Sequence, residues 1–297
     1  MKQKLFTGAG VAVITPFNTN TSVDYASLGY IINNLIERGV DYIVLLGSTG
    51  EASTISKSEQ NMIIEYSTEI INSRIPLIVG CSGNSTQSVI SRIYEIAKYK
   101  IDGILSVAPY YNKPSQQGIY EHFKLISTSS FCPVIIYNVP GRTASNITAE
   151  TCLKIADTCK NVVGIKEASG NMEQFMTICH NKPEDFSVLS GDDMLNLPYM
   201  LLGADGAISV VGNIFPSEYA KMIHLAYDKD FDTALKIHNL LFNFTRLIFR
   251  EGNPAGIKAA LQYLGYCDNI LRLPLMPVSG NLYNEIANEI QTILAIK

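Results

Sequence analysis

The sequence predicts a closed (β/α)8 barrel, a TIM barrel, carrying a C-terminal helical extension. Three observations lead there. Eight short apolar runs recur at regular intervals, stretches of helical length with one apolar face separate them, and residues 226–297 lack strand patterning. Short runs rich in β-branched residues read as buried strands. Strands that alternate with helices imply parallel βαβ units. Eight such units suit a closed barrel better than an open sheet; a doubly wound sheet with fewer strands is the alternative.

Taken in order, the first strand is expected at residues 9–15, inside "GVAVITP" from residue 10. The next three are "DYIVLLG" from 41, "IPLIVG" from 75 and "DGILSVAP" from 102. "CPVIIYNVP" from 132, "NVVGIKEA" from 161, "FSVLSG" from 186 and "DGAISVV" from 205 complete the eight. Between the first two lies Tyr25 to Glu37, in which Leu28, Ile31, Ile32, Leu35 and Ile36 share one helical face. Segments 57–73, 86–99 and 117–130 follow the same pattern. The barrel is expected to span residues 1–225. Residues 226–297 are expected to form helices at 230–250, 254–264 and 281–295, as an appendage and not a separate domain.

Composition excludes several classes. At 47% hydrophobic and 17% charged, the chain has enough apolar material for a sizeable core. A net charge of -4 without a long basic cluster argues against a nucleic-acid footprint. The six cysteines form no CxxC pair, and the four histidines show no HxxxH spacing, so no metal site is expected. The N-terminus puts two lysines ahead of apolar residues in the manner of a signal peptide. Thr7, Gly8 and Gly10 interrupt it, however, and Thr15-Pro16 ends it. No run reaches the roughly 18 uninterrupted apolar residues of a membrane span. A soluble, reduced, cytoplasmic protein is the expectation, with neither membrane nor nucleic acid as partner.

In such a barrel the active site lies at the C-terminal ends of the strands. The residues expected there are Gly47-Ser48-Thr49-Gly50-Glu51, Tyr110 and Tyr111, Tyr137 and Arg142, Lys166, Gly191-Asp192-Asp193, and Ile208 and Ser209. Lys166 ends an apolar run, and from the local string alone a solvated lysine is the better reading. The barrel interior is packed, so a lysine aimed inward from a strand end is desolvated. Strand alternation sends Glu167 to the opposite face, so it need not be the counter-ion. A free lysine, with pKa ~10.4, is a nucleophilic amine in only about one molecule in a thousand near neutral pH. Catalytic lysines are brought to ~7–8 by burial, and such an amine attacks ketones to form a Schiff base.

That chemistry needs proton transfers. Tyr137, one strand away from Lys166, is a candidate, although a core tyrosine fits the same position. Arg142 offers a planar fork to a carboxylate, or is an ordinary surface arginine. The loop from Gly47 to Gly50 presents backbone N–H groups and two hydroxyls, a neutral anion cradle without P-loop spacing.

"GSTGEAS" at 47–53, "APYYNKP" at 108–114, "YNVPGRTASNI" at 137–147 and "GIKEASGN" at 164–171 resemble the dihydrodipicolinate synthases. These belong to the pyruvate-dependent class I aldolase and N-acetylneuraminate lyase superfamily. The resemblance runs from "GVAVITPF" at 10–17 to "NPAGIKAAL" at 253–261 and "LRLPL" at 271–275. The YNVPGRT segment is the more specific, because the sialic acid lyases lack its arginine.

The resemblance implies an imine between Lys166 and the keto carbon of pyruvate, with no metal or organic cofactor. Ser48 and Thr49 hold the pyruvate carboxylate, and Gly191 and Ile208 belong to the substrate site. Tyr137, Thr49 and Tyr111 form a proton relay, with Tyr111 reaching in from a neighbouring subunit of a homotetramer built as a dimer of dimers. Arg142 binds the carboxylate of L-aspartate 4-semialdehyde. The product is 4-hydroxy-tetrahydrodipicolinate, at the first committed step towards diaminopimelate and lysine.

The chain departs from this pattern twice. Many synthases carry threonine where Ser48 stands, though the hydroxyl is kept. Lysine-inhibited members share Asn84 and Tyr110, but bring a histidine and a glutamate where this chain has Gln60 and Ser88, with Lys57 adding positive charge nearby. Weak or absent lysine inhibition is expected. The runner-up function is a lyase that cleaves a 2-keto sugar acid to pyruvate and an aldehyde, for which Arg142 is a poor fit. A silent regulatory barrel would have no use for Lys166 and Tyr137. A phosphate-binding isomerase would want a base beside the glycines of "GADGAISVVGN" at 203–213.

Overall fold

The structure, a computed structural model, describes residues 4–296; residues 1–3 and 297, the ends of the expected barrel and helical regions, lie outside the described residues. Eight strands close into one parallel barrel in sequence order. They are β1 (Gly8–Ala12), β2 (Tyr42–Leu45), β3 (Leu77–Gly80), β4 (Gly103–Val107), β5 (Val134–Asn138), β6 (Val162–Glu167), β7 (Ser187–Ser190) and β8 (Gly206–Ser209). The circle closes through β1 and β8, which pair from Gly8↔Gly206 to Val11↔Ser209. The first strand ends at Ala12, three residues before the expected limit, though Val13 still donates its amide to the Val44 carbonyl at 3.0 Å.

Helices α1 (Tyr25–Glu37), α2 (Lys57–Ile71), α3 (Thr86–Ile96) and α4 (Gln116–Ser129) surround the first half. A short α5 (Pro140–Thr143), then α6 (Ala149–Thr158), α7 (Met172–Asn181), α8 (Asn196–Leu201) and α9 (Pro216–Tyr227) complete the ring. Most expected bounds hold within two residues; α3 stops three residues early. Its C-terminal residue and cap, Ile96 and Ala97, lead into a tight turn in which Tyr99 donates to the Ile96 carbonyl.

The N-termini are set by short polar side chains that accept an orphan amide in place of the backbone. Asp24 accepts from the Ser27 amide, Thr148 from Thr151 and Asn171 from Gln174. Ser56 and Glu59 form a reciprocal capping box at α2. The apolar stripe of α1 is buried at Leu28, Ile31, Ile32 and Leu35, each worth roughly 1.5–3 kcal/mol against exposure. These residues join the large outer core between helices and barrel. A second, inner cluster of Ala12, Val44, Leu105, Ile135, Leu189 and Ile208 fills the barrel itself. Beyond α9 lie α10 (Phe231–Phe249), α11 (Ala255–Tyr263) and α12 (Gly280–Ile296), which pack on one another.

Candidate active site

A cavity of about 350 Å³ opens over the C-terminal ends of the strands. Lys166 sits on its wall, near the end of β6 and paired in register with Tyr137 of β5 and Leu189 of β7. Only 6% of the lysine is exposed. Burial brings its pKa down to about 8; the buried Asp193 carboxylate acts against that fall, and the Arg142 guanidinium adds to it. The ammonium end lies over the Tyr137 ring, 4.5 Å from the centroid. Glu167 points outward, as alternation requires. It is fully buried, accepting from Asn138 Nδ2 at 2.9 Å, Gln174 Nε2 at 3.0 Å and the Ser169 amide at 2.7 Å. The two side chains therefore serve different faces of the barrel.

Gly191, just past β7, is required by the lysine. A methyl group there would stand 2.8 Å from Lys166 Cε and 2.9 Å from its Cγ, closer than any packed carbon pair. Asp193 accepts from the Val210 amide at 2.8 Å, Asn196 Nδ2 at 3.2 Å and the Ser209 hydroxyl. It is thereby an anchored carboxyl group between β7 and β8, whose pKa burial raises against the pull of the Ser209 and Val210 hydrogen bonds.

Tyr137 lines the cavity, and burial, against the opposing field of Arg142, pushes its phenol up to about 12. It is consequently a neutral phenol near pH 7. Ser48, Thr49 and Arg142 share the same lining. In the tight turn after β2 the Gly50 and Glu51 amides are spent on the Gly47 and Ser48 carbonyls, each at 3.1 Å. The Ser48 and Thr49 amides donate to no acceptor among the described residues, which leaves two N–H groups and two hydroxyls for an anion. No direct hydrogen bond joins the Tyr137 and Thr49 hydroxyls.

Of the residues expected to bind substrate or relay protons, two lie elsewhere; of the wider rim, Gly50, Glu51, Tyr110 and Ser209 do not line the cavity either. Ile208 is buried in the inner cluster of the barrel and does not line the cavity. Val210, just past the end of β8, does. Tyr111 lies outside the cavity with 88% of its surface exposed, on a backbone of φ 72° that non-glycine residues seldom adopt.

The C-terminal region supplies four lining residues that the strand-end inventory did not contain: Thr245, Arg246 and Phe249 of α10, and Asn253 between α10 and α11. Asn253 donates to the Thr49 hydroxyl at 2.9 Å. Its one signal in the sequence was the "NPAGIKAAL" stretch, which carried a resemblance but no strand-end position.

At the segment compared with lysine-inhibited proteins, Gln60 Nε2 is spent on the Ala52 and Ile55 carbonyls, at 3.1 and 3.0 Å. Lys57 is paired with Glu95 at 3.3 Å, which offsets part of the positive charge expected there.

The dihydrodipicolinate synthetase family matches residues 5–293. The chain belongs to this family. It is 49% identical over 286 residues to the 4-hydroxy-tetrahydrodipicolinate synthase of Azobacteroides pseudotrichonymphae, covering 96% of this chain and 97% of that one. The crystal structure of dihydrodipicolinate synthase from Aquifex aeolicus superposes with a TM-score of 0.94 at 40% identity, over 97% of this chain and 98% of that one. A synthase of Acinetobacter baumannii, solved in complex with pyruvate, gives a TM-score of 0.94 at 37% identity, covering 97% and 98%. Among the described residues, no helix is long and apolar enough to cross a membrane.

Proposed function

We infer that this chain is the lyase-type synthase that condenses pyruvate with L-aspartate 4-semialdehyde to 4-hydroxy-tetrahydrodipicolinate, on the way to diaminopimelate and lysine. The observation that carries the reading is Lys166: buried at the cavity wall, with its pKa brought to about 8. At pH 7 about one molecule in ten then holds the free amine, against fewer than one in a thousand for an exposed lysine.

The amine adds to C2 of pyruvate, and loss of water from the carbinolamine leaves an imine. Loss of a C3 proton gives the enamine, which attacks the aldehyde of the second substrate. That substrate's own amine then adds to C2 and displaces Lys166 as the ring closes. The protonated imine is itself the electron sink, so the reading needs no metal or organic cofactor. Ser48 and Thr49 take the pyruvate carboxylate, with Tyr137 and Thr49 moving protons. Arg142, on the same lining, pairs with the semialdehyde carboxylate. It also favours this substrate over a sugar acid, whose hydroxyl-rich chain gains little from a guanidinium.

Tyr111 belongs to the same proposal as a residue donated to a neighbouring subunit, in a homotetramer. Its exposure and its left-handed backbone support that role, since an exposed aromatic held in a costly conformation calls for a partner. A cytoplasmic location is supported by six unpaired cysteines.

The test is pyruvate-dependent consumption of L-aspartate 4-semialdehyde, coupled to a pyridine-nucleotide reductase, in the wild type and in Lys166→Ala. A wild type without turnover, or a variant that keeps it, refutes the assignment. Borohydride trapping with pyruvate then reads the imine on Lys166 directly as a mass increase.

A further inference from the structure

Thr49 is held from outside the barrel. Asn253, 204 positions away in the chain, lies between α10 and α11 and donates from Nδ2 to Thr49 Oγ1 at 2.9 Å. Both residues are buried, at 8% and 4% exposure, and both line the cavity. A side-chain amide nitrogen only donates, whereas a hydroxyl has one proton and two lone pairs. With one lone pair taken by Asn253, the Thr49 proton must point away from the amide. A hydroxyl held in this way has a fixed polarity: it donates to one partner and accepts from one other.

Asn253 has no other side-chain engagement. Its Oδ1 has no hydrogen-bond partner among the described residues. Burying an amide with its carbonyl oxygen unpartnered is costly, and an apolar side chain of the same size would pack there more cheaply. The Thr49 contact is what the residue gains in return.

The anchor is braced by a second tie between the same two segments. Glu51, two residues past Thr49, pairs with Lys258, five past Asn253, at 2.5 Å, with both side chains fully buried. Lys258 also donates to the Ile270 carbonyl at 2.8 Å and lies over the Phe17 ring. Neither Glu51 nor Lys258 lines the cavity. The turn after β2 and the start of α11 are thus joined once at the cavity and once away from it, which holds Asn253 and Thr49 in register.

We propose that Asn253 is a positioning residue of this enzyme, acting through Thr49. It keeps the Thr49 proton turned into the cavity for the proton transfers of imine and enamine formation. The proposal rests on the imine reading of the preceding subsection, and partial reactions separate the two. Exchange of the pyruvate C3 protons for deuterium, followed by NMR in D2O without the second substrate, reads enamine formation alone.

Asn253→Ala is expected to slow this exchange and kcat at least about tenfold, as the loss of an oriented proton-transfer group requires. The KM for pyruvate is expected to stay within about threefold and Tm close to the wild-type value, because the Ser48 and Thr49 amides, the Ser48 hydroxyl and the buried ion pair are untouched. Asn253→Asp keeps the shape but only accepts, which turns the Thr49 proton away from the cavity; it is expected to fall at least as far. In a Thr49→Val background, Asn253→Ala is expected to change exchange by less than about twofold, because the group it acts through is gone.

Losses that multiply across the Thr49 and Asn253 variants would overturn the proposal. So would a loss confined to KM, or a fully active Asn253→Asp. A wild type that neither exchanges deuterium nor traps pyruvate with borohydride sinks the imine reading and this proposal together. A wild type that does both, beside an unimpaired Asn253→Ala, sinks the proposal alone.

Discussion

Lys166→Met is expected to abolish activity and at the same time to make the protein more stable at pH 7. The folded chain keeps a lysine 6% exposed, whose pKa lies at about 8 in place of 10.5. The fall is caused chiefly by burial, so below pH 8 the fold carries an ammonium that water would solvate better. At ~1.36 kcal/mol per pH unit the difference amounts to about 3 kcal/mol. Opposing it is the contact with the Tyr137 ring, worth roughly 0.5–1 kcal/mol and lost in the variant. Methionine fills a similar volume without charge, so a net gain of about 2 kcal/mol remains.

The sign can be checked through pH. Between pH 8 and 10.5 the unfolded chain binds the lysine proton and the folded chain does not, so wild-type stability rises with pH across that window. The advantage of Lys166→Met is therefore full below pH 8 and vanishes by about pH 10.5. Scanning calorimetry at pH 7 and pH 10 measures it. For a chain of this length the gain corresponds to a Tm about 3 °C higher at pH 7, shrinking towards zero at pH 10. A variant less stable than the wild type at pH 7, or an offset that does not change with pH, refutes the reasoning.

Three further predictions rest on the same geometry. The rate of borohydride trapping with pyruvate should climb about tenfold per pH unit below 8 and level off above it; a rate still climbing at that slope past pH 9.5 would place Lys166 in solvent. Gly191→Ala should depress imine trapping at least about tenfold and also lower Tm, because its methyl group crowds the lysine stem and the Ala168 methyl group beside it; trapping at the wild-type rate would contradict the contact. Lys258→Met leaves Glu51 buried and unpaired and should cost about 3–5 kcal/mol in a denaturant titration, with much of the loss recovered in Lys258→Met/Glu51→Leu.

Inhibition by lysine is expected to be weak, with millimolar lysine leaving the rate within about twofold. Gln60 is committed to backbone carbonyls and offers no carboxylate to a cationic ligand. A steep loss at sub-millimolar lysine, measured in the coupled assay, would refute this.

What the sequence determined by itself was the local part of the design. Strand and helix periods are properties of neighbouring residues, so the eight strands and the main helices could be read in order. Strand parity likewise placed Lys166 and Glu167 on opposite faces. The residues flanking the strand ends, Ser48, Thr49, Tyr137, Arg142 and Gly191, followed from the rule that a barrel of this kind works at its C-terminal rim. Parity says which face a side chain takes but not how far up the barrel it lies, which depends on how all eight strands are staggered. Ile208 lies within β8 and Val210 just past its end, and only Val210 reaches the cavity.

The contribution of the C-terminal helices was beyond local pattern for a similar reason. Helix period showed that α10 and α11 each have an apolar face, but not which residues their docking turns towards the barrel mouth. Asn253 on Thr49 and Lys258 on Glu51 are contacts between segments more than 200 residues apart. Only the packed tertiary structure removes enough water to bring the pKa of a lysine at a strand end down to about 8, and sets one side-chain amide against one hydroxyl.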